Sequence, residues 1–405
     1  MKIFPKALST RPRLAVEVRW GGVVAARSEE LPVGLVAAVS RAELGAEALE
    51  PGLKPGNLRT RAAVVAAVRK TLEAVYEKGM GREVTLVVPD AVVRVLLLDF
   101  DTLPAKAAEA LPVVRFRLKK LLPFDVDEAQ VSYQIMPGAR AAGERGLLRV
   151  VAVAIPRAVL EEYEAVVREA GFEPGAVLPS TLAALAGLEQ AASDAALVVN
   201  AGPQSVTTAI VQRGLLLLHR SVDMSGNVQV GILAEAAQAG VEALPEHGVL
   251  PLVDREASQQ EWAMQQPAPQ FGRDPYRETA DEAAAGAASA RSLGGVAMEV
   301  ASAAGLASAH GQVGEVTQAV SVAAAYFEDT LQQSPNTVLS AGSTGAEALG
   351  AMLAQAGFGV VMDAGGGAGA VRVEEIVAPE ALVGQAASAR VPRSWLAGVR
   401  GALRS

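Results

Sequence analysis

Three glycine-bearing turns are the places where this chain could hold a charged ligand. Glu17 precedes the turn Trp20-Gly21-Gly22, and Asn200 precedes Gly202-Pro203, which Ser205, Thr207 and Thr208 follow. The third turn, Ala341-Gly342-Ser343-Thr344-Gly345, joins a strand pattern to a helix pattern. Glycine lets backbone N–H groups approach an anion, and hydroxyls add donors. A strand, a glycine turn and a helix start also form a general anion site, because N–H groups point outward there. Each turn has an ordinary reading as well, a tight hairpin or a plain connection, and Ala341 and Ser343 interrupt the glycine run of the third.

Other chemistry finds little support. The chain has no cysteine, which excludes disulfides and thiolate metal sites. Its histidines, His219, His247 and His310, are scattered, which argues against zinc. There is no Walker lysine motif and no nucleophile elbow. Glu161 and Glu164 read as the solvated face of a helix, with nothing nearby to shift their pKa values for acid–base work. The run Ala364 to Ala370 does not satisfy G-x-G-x-x-G and leads into a strand, Val371 to Ile376, so it reads as a loop.

The elements that must position the turns follow from apolar spacing. Leu14 to Val18 and Val23 to Arg27 form a hairpin around the first turn. Leu58 to Lys78 is a helix with Val64, Val68, Leu72 and Val75 on one face. Val84 to Val88 and Val92 to Leu98 are strands, as is Leu147 to Ala154, after a loop at Pro137 to Gly146. Pro156 to Ala170 and Ser180 to Gln190 are helices. From Leu197 to Val222 the strand–turn–strand–turn–strand order echoes the N-terminal hairpin. Helices are expected at Ser225 to Ala239, Val296 to Ala309 and Val313 to Gln332, the last with Val316, Val320, Ala324, Phe327 and Leu331 on one side. Pro245 to Ser292 reads as an insert in which Trp262 and Phe271 are partner anchors or surface packing. Asn336 to Ser340 is a strand, and Ala346 to Ala356 a helix. The tail ends in an Arg-bearing amphipathic helix, Arg393 to Leu403, packed on the first domain.

The least generic stretch is Leu97 to Met136. Thr102 and Pro104 signal a helix start. Leu111, Val114, Leu118 and Leu122 share one face, with a kink expected at Pro112 and a stop at Pro123. An acidic turn from Phe124 to Glu128 leads to a strand in which Val131, Tyr133 and Ile135 alternate.

This stretch resembles the PilM family, actin-like cytoplasmic proteins of type IV pilus assembly. The likeness rests on Phe100-Asp101, Leu103-Pro104, the run Arg117-Leu118-Lys119-Lys120, the segment Leu122 to Glu128, and Tyr133-Gln134. It implies an α/β, actin-like fold, a ribonuclease H-like duplicated two-lobed architecture with an FtsA-like inserted small subdomain. Residues 1–92 and 178–195 would form the core of domain I, 93–177 the small subdomain, and 196–385 domain II with an insert near 245–292. Residues 386–405 would return to domain I.

In such proteins the first two turns are phosphate loops and the third contacts adenosine. The resemblance therefore nominates Glu17, Gly21, Asn200, Gly202, Ser205, Thr207, Gly342, Ser343 and Gly345 for nucleotide contact, and no catalytic or metal-ligating residue. The loops depart from the family pattern. Glu17 replaces one Asp, Asn200 neutralises the other, Arg19-Trp20 replace small residues, and Pro203 removes a backbone donor. Asn is a poor partner for hydrated Mg²⁺.

The implied role is a scaffold of the inner-membrane platform, with a degenerate cleft. It binds the N-terminal cytoplasmic peptide of a PilN-like single-span membrane protein and couples to the pilus motor ATPase, hence to twitching motility. The groove expected for the peptide involves Leu118, Leu121, Leu122 and Phe124. The alternative is a switch that binds ATP with Mg²⁺. A type II secretion relative would carry its own membrane span, and a sugar kinase would need a catalytic Asp that no loop supplies. Self-association stays open at this level. A net charge of -8 argues against nucleic acid. The N-terminal segment lacks a signal-peptide core, and no stretch approaches the roughly 18 apolar residues of a span. The expected location is the cytoplasm, peripheral to the inner membrane through a partner.

Overall fold

The computed structural model describes residues 12–29, 35–136, 148–188, 195–224, 313–360 and 371–404. The expected loop at Pro137 to Gly146, the helices at Ser225 to Ala239 and Val296 to Ala309, the insert with Trp262 and Phe271, and the run Ala364 to Ala370 lie outside these residues.

The first half opens with an antiparallel meander, β1 (Leu14–Arg19), β2 (Gly22–Ser28) and β3 (Val36–Glu43). Helix α1 (Arg61–Val75) leads to β4 (Glu83–Val88), parallel to β1. A small unit follows: β5 (Arg94–Phe100), α2 (Ala107–Leu118), β6 (Ala129–Ile135) and β7 (Leu148–Pro156). Helix α3 (Arg157–Glu169) then delivers β8 (Glu173–Pro179), parallel to β4, and α4 (Ser180–Ala186). The second half repeats the plan with β9 (Ala196–Ala201), β10 (Ser205–Gln212), β11 (Leu215–Asp223), α5 (313–331), β12 (Thr337–Ser340), α6 (Ala346–Gln355) and β13 (Arg372–Glu375). Helices α7 (Gly384–Ser388) and α8 (Ala397–Leu403) end the chain.

The two large sheets have the same strand order, β3-β2-β1-β4-β8 and β11-β10-β9-β12-β13. Strand directions match too, antiparallel across the meander and parallel beyond it. One apolar cluster joins Ala15, Val24 and Val87 of the first sheet to Val198 and Ala209 of the second, through Leu182 and Leu185 of α4 and Val399 and Ala402 of α8. The opposite face of the first sheet is covered by α1 and α3, and that of the second by α5 and α6. Burial of each aliphatic side chain in these layers contributes about 1.5–3 kcal/mol.

Several elements depart from local sequence signals. Helix α1 buries Val64, Val68, Leu72 and Val75 as their spacing predicts, but it ends at Val75 because Tyr76 turns to extended backbone. Helix α2 starts at Ala107, not at Thr102 or Pro104, and it continues through Pro112. Pro112 and Ala108 are both exposed, so the carbonyl that the proline leaves unbonded faces water. The helix ends at Leu118 rather than Pro123, and Leu121 and Leu122 N–H close a turn on Leu118 O at 2.9 and 3.0 Å. The tail is not one amphipathic helix. A 3-10 turn, Arg393–Trp395, precedes α8, and every residue of α8 is buried. Gly401 explains this: a Cβ there would lie 1.7 Å from Ala183 O, so α8 crosses α4 in backbone contact. Arg400 tolerates burial by donating to Gly187 O at 2.7 Å. Helix α8 packs against β1, β2 and β4 of the first sheet.

The candidate cleft

The three glycine turns lie at the same end of the paired sheets. A cleft there is lined by Glu17, Arg19, Trp20, Pro89, Asp90, Ser180, Asn200, Gly202, Pro203, Ser205 and Ser343, among others. Its cavity is about 60 Å³.

Glu17 sits in β1 and is buried. Its Oε1 accepts from Ser180 Oγ at 2.7 Å and from the Arg19 guanidinium. Its Oε2 faces Gly398, where a Cβ would come within 2.4 Å. The Arg19 guanidinium also stacks on Trp395, 5.2 Å from the ring centroid, and Arg41 stacks there at 3.9 Å. Trp395 in turn lies against Gly22 beside the first turn. Gly21 holds φ at +78°, which a side chain would resist.

Asn200 reaches across from the second sheet. Its Nδ2 lies 3.1 Å from Asp90 Oδ2, 3.1 Å from Ser180 Oγ and 3.0 Å from Thr181 Oγ1. Asp90 follows β4, and its Oδ1 accepts from the Thr181 backbone N–H at 3.0 Å while Oδ2 accepts from the Thr181 hydroxyl. The side chain of His219 lies near Asp90. Burial lowers its pKa and the Asp90 charge opposes that, the net shift being downward.

The remaining nominated residues divide. Gly202 and Ser205 hold the second turn, with Gly202 N–H donating to Ser205 O at 3.0 Å. Thr207 is buried inside β10, and its hydroxyl pairs with Ser221 Oγ at 2.9 Å, away from the turn. Gly342 is required by packing: a Cβ would lie 2.1 Å from Ala201 O. Ser343 lines the cleft. Gly345 caps α6 with φ +77°, and the next N–H, of Ala346, donates to Glu375 Oε1 at 2.9 Å. A carboxylate of the chain itself thus occupies the helix N-terminus that the anion reading would give to a ligand.

Asp90, Ser180, Thr181, Glu375 and Trp395 are the site residues that sequence reasoning missed. Pro89-Asp90 reads as a strand stop and Ser180-Thr181 as a helix start. The usable signal was an acid directly after the strand parallel to β1.

The groove residues lie in the small unit, whose sheet order is β5-β7-β6. Leu118 is fully buried under α2, so it supports the unit from inside and does not face a partner. Leu121, Leu122 and Phe124 are half-buried against the same cluster. The outer face of α2 shows Phe116, 74% exposed.

A chain of the PilM–PilN type IV pilus biogenesis complex matches this structure with a TM-score of 0.59 at 16% identity, covering 97% of this chain and 98% of that chain. The cytoplasmic domain of EpsL, from the type II secretion system of Vibrio cholerae, matches with a TM-score of 0.33 at 13% identity, over 52% and 71% of the two chains. EutJ of Carboxydothermus hydrogenoformans matches with 0.40 at 10%, over 97% and 89%. No family model and no curated protein sequence matches the chain. The fold is actin-like, and the resemblance to PilM seen in the sequence is also a resemblance of structure. Among the described residues, no helix is long and apolar enough to cross a membrane.

Proposed function

We propose that this chain is a docking scaffold of type IV pilus assembly, whose cleft no longer serves a nucleotide. One observation carries the reading: Asn200, Asp90, Ser180 and Thr181 hold one another across the cleft, while Glu17 Oε2 and Gln204 Oε1 are buried with no hydrogen-bond partner among the described residues. Asn200 is committed to Asp90, Ser180 and Thr181, and Glu17 to Ser180 and Arg19. Glu375 Oε1 accepts from the Ala346 N–H at the α6 terminus. Asn200, a neutral amide, is a poor partner for hydrated magnesium, which supports a cleft without a nucleotide.

The partner is the short N-terminal cytoplasmic segment of a PilN-like membrane protein. The pilus biogenesis complex in which the matched chain occurs supports that choice. Membrane attachment and coupling to the motor ATPase then come through the assembly. The division into 1–92 with 178–195, 93–177, 196–385 and 386–405 belongs to the same proposal. The peptide seats beside Leu121, Leu122 and Phe124, while the buried Leu118 holds their backbone in place. Calorimetric titration with that peptide tests the reading. Micromolar binding, weakened about tenfold by Phe124→Ala (about 1.4 kcal/mol), is expected. Absence of binding by a folded protein would remove the peptide role.

A further inference from the structure

Large apolar side chains left in water mark contact surfaces when they gather on one face. Among the described residues these are Val113, Phe116, Ile135, Val322 and Tyr326. All but Ile135 lie on two helices, α2 in the small unit and α5 in the second half. On α2, Val113 and Phe116 point away from the buried Ala110, Val114 and Leu118. On α5, Val322 and Tyr326 point away from Val316, Val320 and Phe327, which face the second sheet. The two faces do not cover each other, since Phe116 is 74% exposed and Val322 43%.

The charges around the two faces differ in sign. Arg117, Lys119 and Lys120 are exposed at the C-terminal end of the α2 face, and none has an ion pair among the described residues. The α5 face carries exposed Glu315 at one end and Asp329 at the other. Their spacings match as well. With the helices side by side and parallel, one register sets Lys106 opposite Glu315 and Lys120 opposite Asp329, a pair at each end. Between these pairs Val113 meets Val322, and Phe116 packs on Ala325 and Tyr326. The antiparallel arrangement would set Glu109 beside Asp329 and leave Lys120 against Gln318.

We infer that the α2 face of one copy of this chain docks on the α5 face of the next, with the two helices parallel. Packed helices run about 8–10 Å apart with side-chain ridges set into grooves, which covers the apolar centre of both faces. Opposite charges at the two ends fix the register. The contact is heterologous, so each added copy offers a free face to another, and copies join head to tail. A lipid surface fits less well. It would attract the α2 cations, but Glu109, Asp125, Asp127 and Glu128 are exposed on the same unit, and it leaves the acidic α5 face unused. The inference concerns the chain alone and stands apart from the peptide and the cleft.

The absence of native cysteine makes the test direct. Val113→Cys and Val322→Cys, carried by separate full-length chains, should cross-link under mild oxidation when mixed, and neither should cross-link alone. Sedimentation of the native chain should show mass rising with concentration. Lys120→Glu should weaken that association about tenfold, and Asp329→Lys added to the same chain should restore it. Both variants should keep the native circular dichroism spectrum. A native chain that stays monomeric at every concentration would overturn the inference. So would cross-linking of either cysteine variant alone, or a double variant that associates no better than Lys120→Glu. Binding to phosphatidylglycerol vesicles that Phe116→Ala abolishes, without self-association, would overturn it in favour of a lipid surface.

Discussion

The two halves share one strand order but hold their cleft ends by different means. After β4 the first half places an acid, Asp90, and ties it to Thr181. After β12 the second half places Gly342, which lets the turn lie directly on Ala201. The first half thus brings charge and hydroxyls, and the second brings close backbone and one amide, Asn200. Duplication preserves the scaffold because strand order is set by apolar layers buried on both faces. The polar ends are free to diverge, and here they have diverged toward each other's needs.

The largest test of this contrast is to add a methyl on each side. Gly342→Ala drives Cβ into the Ala201 backbone and should cost about 3 kcal/mol in urea unfolding. Gly21→Ala has open space and only the positive φ to contend with, and should cost about 1 kcal/mol. Equal losses would mean that the second turn is not held by packing.

Next is Asn200→Asp, which sets a carboxylate against Asp90 Oδ2, now 3.1 Å from the amide. Repulsion would raise the pair's folded pKa above the unfolded value near 4. The penalty, about 2 kcal/mol at pH 7, is full above the raised pKa and vanishes as pH falls below the unfolded one. Denaturant midpoints at pH 7 and pH 4 check both the size and the sign.

His219 should give a smaller effect. Its folded pKa is lowered, so the unfolded chain takes the proton first. Its contribution is complete above the unfolded pKa near 6.5 and declines as pH drops through that value, by at most about 1.4 kcal/mol per pH unit. His219→Gln should flatten that slope; an unchanged slope would place its origin elsewhere. Smallest is Gln385→Ala, which uncaps β3 and should cost about 1 kcal/mol in the same assay.

Much of the fold was legible because apolar periodicity reports layers. The buried face of α1, the β1–β2 hairpin and its echo after Leu197 follow from spacing alone, whereas β3 and β8 were not read from the sequence. The ends of α2 were not legible, because Thr102, Pro104 and Pro123 are strong local signals that packing of Ala110, Val114 and Leu118 overrides. The tail misled for a related reason. Arg400 suggests a solvent face, yet Gly187, over two hundred residues away in sequence, supplies its acceptor. The cleft was half legible. Glycine turns announce themselves, but the bonds that link Asp90 to Thr181 and Asn200 to both join residues about 20 to 110 apart, and no local pattern records them.

Exclusion of nucleotide rests on Asn200, Asp90, Ser180 and Thr181 holding one another across the cleft. Isothermal titration of the purified full chain with ATP and Mg²⁺ tests it most directly. No saturable heat at millimolar nucleotide is the expected result. A micromolar, magnesium-dependent isotherm would show that Glu17, Asn200 and Glu375 release their internal partners for a ligand, and would contradict the account.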